Sequence, residues 1–348
     1  MRDQRFNILT ILLLFFMTIP LKAQVSRCAL NLIEAKKQYN AGQIEEVPGL
    51  LLDCIESGFS EEDRIEAYKL LIVSYIFDDY PDLAEKYLLE FLNVFPGYKA
   101  SDDDPFEFVN LLEQYDSSPK YSAGLNLGTN LTMVNVTEPF GVYNVNNVSG
   151  NYMMAPGFII GGNFNYFLDS KFEISIEALF TITTIKYEVD PFSFTTTEYK
   201  ETHQRIDIPF SLVYSFNESD ISPYLRLGFK PSLLLSAKGE AKRTYSGTAG
   251  ANYEPIVGES EIISEKRIPL QTSAFLGGGL RYNLKKSYFF FDVRYNLGFT
   301  GQVDPSGRQE LNDDNTWLFY NIQDDFKLSD LSFAIGYSRI FYKPKRKN

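Results

Sequence analysis

Glu173, Glu177 and His203 are the residues whose types could perform acid–base or nucleophilic chemistry. Two carboxylates four positions apart could serve as a general acid and a general base. A histidine could activate a serine for acyl transfer, yet His203 is the only histidine in the chain and no serine stands beside it. Because basic residues are available as partners, internal ion pairs explain the two glutamates better than catalysis does. We therefore predict no catalytic, metal-binding or cofactor-binding residue and no cofactor.

These glutamates belong to a larger set of charged residues that share one side of alternating segments. In a strand, successive side chains point to opposite faces. The charges on the polar face are Glu173, Glu177, Arg205, Asp207, Arg226, Lys230, Arg281, Asp292 and Arg294. Four acids and five bases nearly cancel, as a crowded interior requires because an unpaired buried charge is costly. We predict that they form a charge network inside a barrel.

Alternation of this kind runs from Lys120 to the end of the chain, in about eight segments of roughly ten residues. The clearest segment alternates apolar or small residues from Tyr121 to Met133 with polar or small ones. Aromatic residues cluster beside the short breaks at Phe164, Tyr166, Phe172, Tyr214, Phe216, Tyr282 and Phe289. An apolar face with such a girdle is typical of a membrane β-barrel. A soluble sandwich is the alternative, but its exposed face would be polar.

The breaks between segments alternate in length. Short breaks fall near residues 169–171, 217–221 and 283–287, and long ones near 135–156, 186–202, 237–267 and 300–327. This pattern predicts a mainly β fold, an eight-stranded antiparallel transmembrane β-barrel over residues 117–348, with both ends on the tight-turn side that faces the periplasm. An interior of this size is filled by side chains, so a solute channel is not expected. Pro209, Pro231 and Pro269 should mark bulges or strand ends.

The first residues have the features of a secretory signal. Arg2 and Arg5 precede an apolar run from Ile8 to Phe16, and Ala23 is a plausible cleavage point. We predict a signal peptide over residues 1–23. The net charge of −12 argues against nucleic acid as a partner.

Residues 24–116 change to a helical period and predict a small all-α periplasmic domain. Its third and fourth helices resemble a tetratricopeptide (TPR) repeat through Tyr68, Leu71, Tyr75, Ala84, Leu88 and Pro96. A plain antiparallel helix bundle remains an equal alternative. Because such domains commonly dock other proteins, we predict Tyr39, Tyr68 and Tyr75 as candidate partner-docking residues.

Cys28 and Cys54 are the two cysteines of the chain. Cys28 opens one predicted helix and Cys54 closes the next, so an antiparallel pair of helices would bring them together. An exported protein meets an oxidising compartment. We therefore predict a Cys28–Cys54 disulfide.

Several segments of the barrel half resemble the PorT-like outer-membrane β-barrel family of Bacteroidota. The resemblance lies in residues 205–210 (RIDIPF), 223–228 (PYLRLG), 291–295 (FDVRY) and the closing segment 331–337. It implies a non-enzymatic accessory or scaffold subunit of an envelope complex, in protein secretion or outer-membrane protein assembly. The implied partners are outer-membrane lipid and proteins of the periplasm and outer membrane, with no small-molecule substrate evident. The alternatives are a surface adhesin or receptor and, less favoured, a lipid-modifying hydrolase.

Overall fold

A computed structural model describes residues 26–139, 150–192, 194–245, 253–307, 319 and 324–347. The predicted signal peptide and its cleavage site lie outside these residues. The chain divides into a helical unit that ends at Ser117 and includes the segment from Pro344, and a β unit over Ser118–Lys343. The predicted domain division had assigned the last residues to the barrel.

Five α-helices form the helical unit within the described residues. They are α1 Arg27–Asn40, α2 Val47–Ile55, α3 Glu61–Phe77, α4 Pro81–Val94 and α5 Phe106–Leu112. Ser60 begins α3, and its hydroxyl accepts a hydrogen bond from the Asp63 N–H at 3.1 Å, the usual N-cap arrangement. Pro81 occupies the first turn of α4, where its missing N–H costs nothing. The helical N-terminal region predicted from periodicity is therefore present.

The core of this unit lies mainly between α3 and α4. Leu71, Leu88 and Phe91 are fully buried, and Phe91 packs edge-on against Phe108 of α5 with ring centroids 5.5 Å apart. Cys28 and Cys54 are joined by a disulfide, so the structure contains the predicted bond. It ties α1 to α2 at the edge of this core.

A short ribbon also belongs to the helical unit. Strand β1, Tyr115–Asp116, pairs antiparallel with β15, Lys345–Arg346. The Lys347 N–H donates to the Gln114 carbonyl at 2.7 Å. The basic C-terminal segment is thus part of a hydrogen-bonded ribbon.

The β unit is a closed antiparallel sheet. Its long strands are β2 Pro119–Glu138, β5 Phe158–Phe167, β6 Phe172–Phe192, β7 Thr195–Asp207, β8 Phe210–Ser215, β9 Ile221–Tyr245, β12 Leu270–Asn283, β13 Ser287–Gly301 and β14 Asp325–Tyr342. Strands β7 and β8 together fill the position between β6 and β9, and β14 pairs back with β2 to close the ring. The result is a barrel of about eight ring-forming strands.

Short strands extend this sheet at the long-loop end. They are β3 Asn151–Met153, β4 Ala155–Pro156, β10 Ile256–Val257 and β11 Glu261–Ile262. Strand β3 pairs with β6, β4 with β2, and both β10 and β11 with β9.

One predicted long loop is almost entirely strand, and a second begins with strand. The predicted loop 186–202 is occupied by the ends of β6 and β7, which stay paired out to Phe192 and Thr195. In the predicted loop 237–267, β9 continues to Tyr245. These predictions were wrong because charged outward-facing residues resemble a loop even where period-two alternation persists.

Two of the three prolines lie where a missing N–H is tolerated. Pro209 separates β7 from β8, and Pro269 precedes β12. Pro231 lies within β9, where its carbonyl accepts a hydrogen bond from the Ile208 N–H at 2.9 Å. The expectation of a strand end therefore holds for Pro209 and Pro269, whereas Pro231 sits inside the ladder.

The two faces of the barrel differ sharply. Large apolar side chains such as Ile174, Leu212, Leu227 and Leu276 are exposed on the outside. Ser122, Asn126 and Ser175 are buried on the inside. Soluble monomers rarely expose so large a continuous apolar surface. Among the described residues, no helix is long and apolar enough to cross a membrane.

Candidate functional site

The barrel interior is built in layers, and the layer nearest the tight turns is an ion pair beside an aromatic ring. Arg281 on β12 donates to Glu173 on β6, with Nη2–Oε1 at 2.5 Å. The guanidinium carbon of Arg281 lies 4.2 Å from the centroid of the Tyr288 ring. The Tyr288 hydroxyl forms hydrogen bonds at 2.9 Å with Ser122 and Asn165. The ring, the ion pair and the small polar residues together fill this level.

The middle layer is centred on Glu177. Its carboxylate accepts two hydrogen bonds from Arg294, at 2.8 and 2.9 Å, and one from Arg226 at 2.7 Å. Asp292 in turn accepts from Arg294 Nε at 2.5 Å and from the Tyr224 hydroxyl at 2.7 Å. Two acids and two guanidinium groups thus neutralise each other inside the barrel, as burial requires.

Gly279 on β12 makes room for this layer. A Cβ built at Gly279 would lie 2.0 Å from the Phe291 carbonyl oxygen and 2.7 Å from the Tyr224 hydroxyl. Here the missing side chain admits the tyrosine that holds Asp292.

The upper layer contains His203, which lies within β7 and is completely buried. One ring nitrogen meets Glu201 and the other meets Arg205. Because the Arg205 guanidinium can only donate, the facing Nδ1 must accept and Nε2 must donate to Glu201. Glu201 also accepts from Arg267 at 2.5 and 2.7 Å.

Between the middle and upper layers lies a cavity of about 60 Å³. Its lining includes Arg205, Asp207, Lys230 and Asp330. Lys230 Nζ lies 3.4 Å from Asp330 and 3.9 Å from Asp207. Among the described residues, Arg205 Nε and Asp207 Oδ1 have no hydrogen-bond partner. A space of this size holds a few water molecules and is far below the usual volume of a ligand pocket.

Above the polar layers, apolar residues gather at the long-loop end. Ile185, Val303 and Phe326 are buried together, with Leu328 packed against them. Within the described residues, polar groups therefore fill the barrel interior and an apolar layer covers them at the long-loop end.

All nine predicted interior charges lie inside the barrel, and each is buried or nearly so. Glu201, Arg267 and Asp330 are further interior charges that were not predicted. The signal for Glu201 was present, since it continues the alternation of Asp207, Arg205 and His203 along β7. Arg267 and Asp330 carried no comparable signal, because their contacts depend on the strand register.

The predicted docking residues lie elsewhere than expected. Tyr68 and Tyr75 are 4% and 8% exposed, and Tyr68 packs on Phe91 with ring centroids 5.7 Å apart. They are core residues and present no surface to a partner, so the prediction was wrong for both. Tyr39 is partly buried against the same core.

The described residues contain no group of three or more histidine, cysteine or acidic side chains arranged to hold a metal ion. The buried interior carboxylates Glu173, Glu177, Glu201 and Asp292 are each engaged by a cation, and Asp207 accepts from Thr181 at 2.8 Å. These groups are placed to neutralise one another.

Residues 113–302 match the family of the outer membrane protein beta-barrel domain, which is more than half of the chain. The chain belongs to this family of outer-membrane proteins. A comparison with curated proteins finds no match.

Solved structures that match this chain include three bacterial outer-membrane proteins. OprG from Pseudomonas aeruginosa is 11% identical, with 65% of this chain and 97% of OprG covered and a TM-score of 0.35. The attachment invasion locus protein Ail of Yersinia pestis is 13% identical, with 64% and 99% covered and a TM-score of 0.27. The outer membrane protease OmpT from Escherichia coli is 12% identical, with 64% and 97% covered and a TM-score of 0.33.

Proposed function

We propose that the protein is a non-enzymatic, PorT-like subunit of an envelope complex, acting in protein secretion or outer-membrane protein assembly. The barrel anchors the chain in the outer membrane, and the TPR-like helical unit docks a protein partner in the periplasm. This orientation follows the tight-turn rule for bacterial barrels, since both ends of the barrel lie on the tight-turn side.

The observation that carries the proposal is the filled interior. Glu177, bound by Arg226 and Arg294, occupies the space through which a solute would pass. The buried His203 is held between Glu201 and Arg205, so it is not available to activate a nucleophile. An anchoring role needs neither a pore nor a reactive group.

The helical unit supports a docking role because it exposes large apolar side chains. Leu30 and Ile33 lie one turn apart on α1 and are 56% and 62% exposed. Phe106 at the start of α5 is 73% exposed. Burial of such side chains against a partner is favourable by about 25 cal/mol per Å² of apolar surface. We therefore assign α1 as the first place to look for a partner.

The test is isolation of the protein in mild detergent from its own membranes. We expect a stoichiometric complex that Leu30→Glu with Ile33→Glu disrupts while the barrel still folds. Glu62→Gln, on the exposed first turn of α3, is the matched surface control and should leave the complex intact. Recovery of a solitary monomer, or equal recovery of the partner with the α1 variant, would contradict the proposal.

One observation favours a receptor or adhesin as the second candidate. The exposed apolar side chains around the barrel, such as Ile174, Leu212, Leu227 and Leu276, form what we term the apolar belt. At the long-loop end, Phe194, Tyr253 and Ile262 are exposed on or beside strands that extend past this belt. Aromatic side chains are common anchors in recognition sites. Shaving intact cells with protease, followed by a binding assay, would distinguish this candidate: loss of binding without loss of the envelope complex would favour it.

A further inference from the structure

The outward face of the extended strands carries an ordered arrangement of charges beside the apolar belt. On β6, the outward residues change from Ile182 to Thr184, Lys186 and Glu188. On β7 and β9, residues paired with these continue each row. The rows in order are Thr184–Thr202–Lys238, Lys186–Lys200–Glu240 and Glu188–Glu198–Lys242.

The two rows nearest the belt are positive. Lys186, Lys200 and Lys238 face one acid, Glu240, in these rows, whereas the next row holds two glutamates and one lysine. The cationic rows therefore stand out in a protein whose net charge is −12.

Lys186, Lys200 and Lys238 lack, among the described residues, the ion pairs that would give them a structural role. Lys186 and Lys200 are direct cross-strand neighbours, and like charges in that position repel. Glu240 is directly opposite Lys200, yet within the described chain neither Lys186, Lys200 nor Lys238 forms an ion pair closer than 4.0 Å. An anion between the lysines would relieve the repulsion.

The height of the rows above the belt favours a lipid headgroup phosphate as that anion, because the Lys238 row lies within the headgroup layer and the Lys186–Lys200 row lies just beyond it. Lys238 lies in a row two residues beyond Ile182 and Lys186 lies four residues beyond it. At about 3.3 Å per residue and a tilt near 45°, these rows lie roughly 5 and 9 Å above the apolar belt. The headgroup layer of one leaflet is about 5–8 Å thick. Lysine side chains can also bend toward this layer while their stems cover apolar surface.

We propose that Lys186, Lys200 and Lys238, which we term the lysine rim, bind the headgroup phosphate of an anionic membrane lipid in the leaflet on the long-loop side. The glutamate row above lies in water and would repel a second anion there. The inference depends on the placement of the barrel in a membrane and is independent of the proposed periplasmic partner.

The experiment uses the full-length protein in nanodiscs that contain phosphatidylglycerol and phosphatidylcholine, with retained lipid measured by native mass spectrometry. We expect the wild-type protein to retain phosphatidylglycerol in preference. Lys186→Gln with Lys200→Gln should lower that preference about 25-fold, since each of the two lysines near a membrane surface changes affinity about fivefold. Lys37→Gln with Lys86→Gln removes the same charge from exposed positions of the helical unit and should leave the preference unchanged.

Two further arms decide the assignment. Lys186→Arg with Lys200→Arg keeps the charge and should restore the preference, which separates lipid binding from a folding defect. Inorganic phosphate at millimolar concentration should not displace the lipid, because the free ion lacks the membrane contacts. Displacement of the lipid by phosphate would show that the ligand is a free anion and not a lipid headgroup, and would contradict the proposal. No preference in the wild-type protein, or equal loss in the helical-unit control, would overturn the proposal.

Discussion

Arg294 binds Glu177 across the barrel interior, although 117 positions separate the two residues in the chain. The two hydrogen bonds measure 2.8 and 2.9 Å, and this paired geometry is the strong form of an arginine–carboxylate contact. Arg226 reaches the same carboxylate from β9 at 2.7 Å. One glutamate on β6 therefore compensates guanidinium groups from two other strands.

Replacing Glu177 with alanine should strongly destabilise the barrel. The change leaves Arg226 without its Glu177 contact and removes both hydrogen bonds that Glu177 accepts from Arg294, and breaking a buried pair costs about 3–5 kcal/mol. Urea unfolding of the protein in lipid vesicles measures the loss. Glu198→Ala on the outward face of β7 is the control and should change stability by less than about 0.5 kcal/mol. Equal stability of the two variants would show that Glu177 is not central to the network.

The inward and outward faces of the barrel could be predicted because side chains alternate along a strand. Glu173, Glu177 and Asp292 are buried and Ile174 and Ile176 are exposed, as the period of two requires. The alternation also continued through Glu201 and His203, but the charged outward residues Lys200 and Glu198 were interpreted as loop. Local polarity therefore marks where the apolar belt ends rather than where the strand ends.

The partners inside the barrel could not be predicted from the sequence. Alternation places Arg294 and Glu177 on the inside, but their contact depends on the stagger of the strands around the whole ring. The same applies to Arg281 with Glu173, which are 108 positions apart. Tyr68 and Tyr75 lie on the buried face that the helical period marks. The docking role was wrongly assigned to them because their side chains pack in the core.

Substituting Gly279 with alanine should destabilise the middle layer. The new Cβ would lie 2.0 Å from the Phe291 carbonyl oxygen and would displace the Tyr224 hydroxyl, which then loses Asp292. Overpacking of this kind costs about 1–3 kcal/mol. Gly301→Ala on β13 is the matched control, because its nearest neighbour would be 3.9 Å away. Heat-modifiable migration in gels should shift to lower temperature for Gly279→Ala, and a shift of the same size in the control would contradict the explanation.

Loss of the disulfide should loosen the helical unit. Cys28 and Cys54 are 26 positions apart, and closing a loop of this length restricts the unfolded chain by about 3 kcal/mol. Full-length protein with both cysteines changed to serine should be cleaved faster between α1 and α2 in limited proteolysis. Barrel cleavage should keep its wild-type rate. Unchanged cleavage of the helical unit would show that its core alone holds α1 in place.

The protein should not form a stable pore. The cavity inside the barrel is only about 60 Å³, the Glu177 ion pairs lie below it, and the layer of Val303 and Phe326 lies above it. In planar bilayers we expect no stepwise conductance, with a general porin as positive control. Stable conductance steps from the folded wild-type protein would show that the interior opens.

The helical unit should lose stability in acid through Asp104. Burial opposes ionisation of this carboxylate, but hydrogen bonds from Lys69, the Ser101 N–H and Tyr98 outweigh it and hold the pKa below its usual value near 3.8. The Lys69 Nζ–Asp104 Oδ1 distance is 2.6 Å. Because the pKa is lower in the folded state, the stabilisation is fully present above about pH 4 and is lost as the pH falls through the folded pKa.

Asp104→Asn should therefore destabilise the full-length protein at pH 7 by about 1–3 kcal/mol, the usual contribution of hydrogen bonds to a charged group. At pH 2–3 the difference from the wild-type protein should shrink, because the wild-type carboxylate is then protonated as well. Hydrogen exchange of the amides of α3 and of residues 98–104 measures both differences. Asp103→Asn is the control, because its side chain is exposed beside Asp104. A constant difference between wild-type protein and Asp104→Asn across this pH range would mean that packing, not charge, holds the segment against α3.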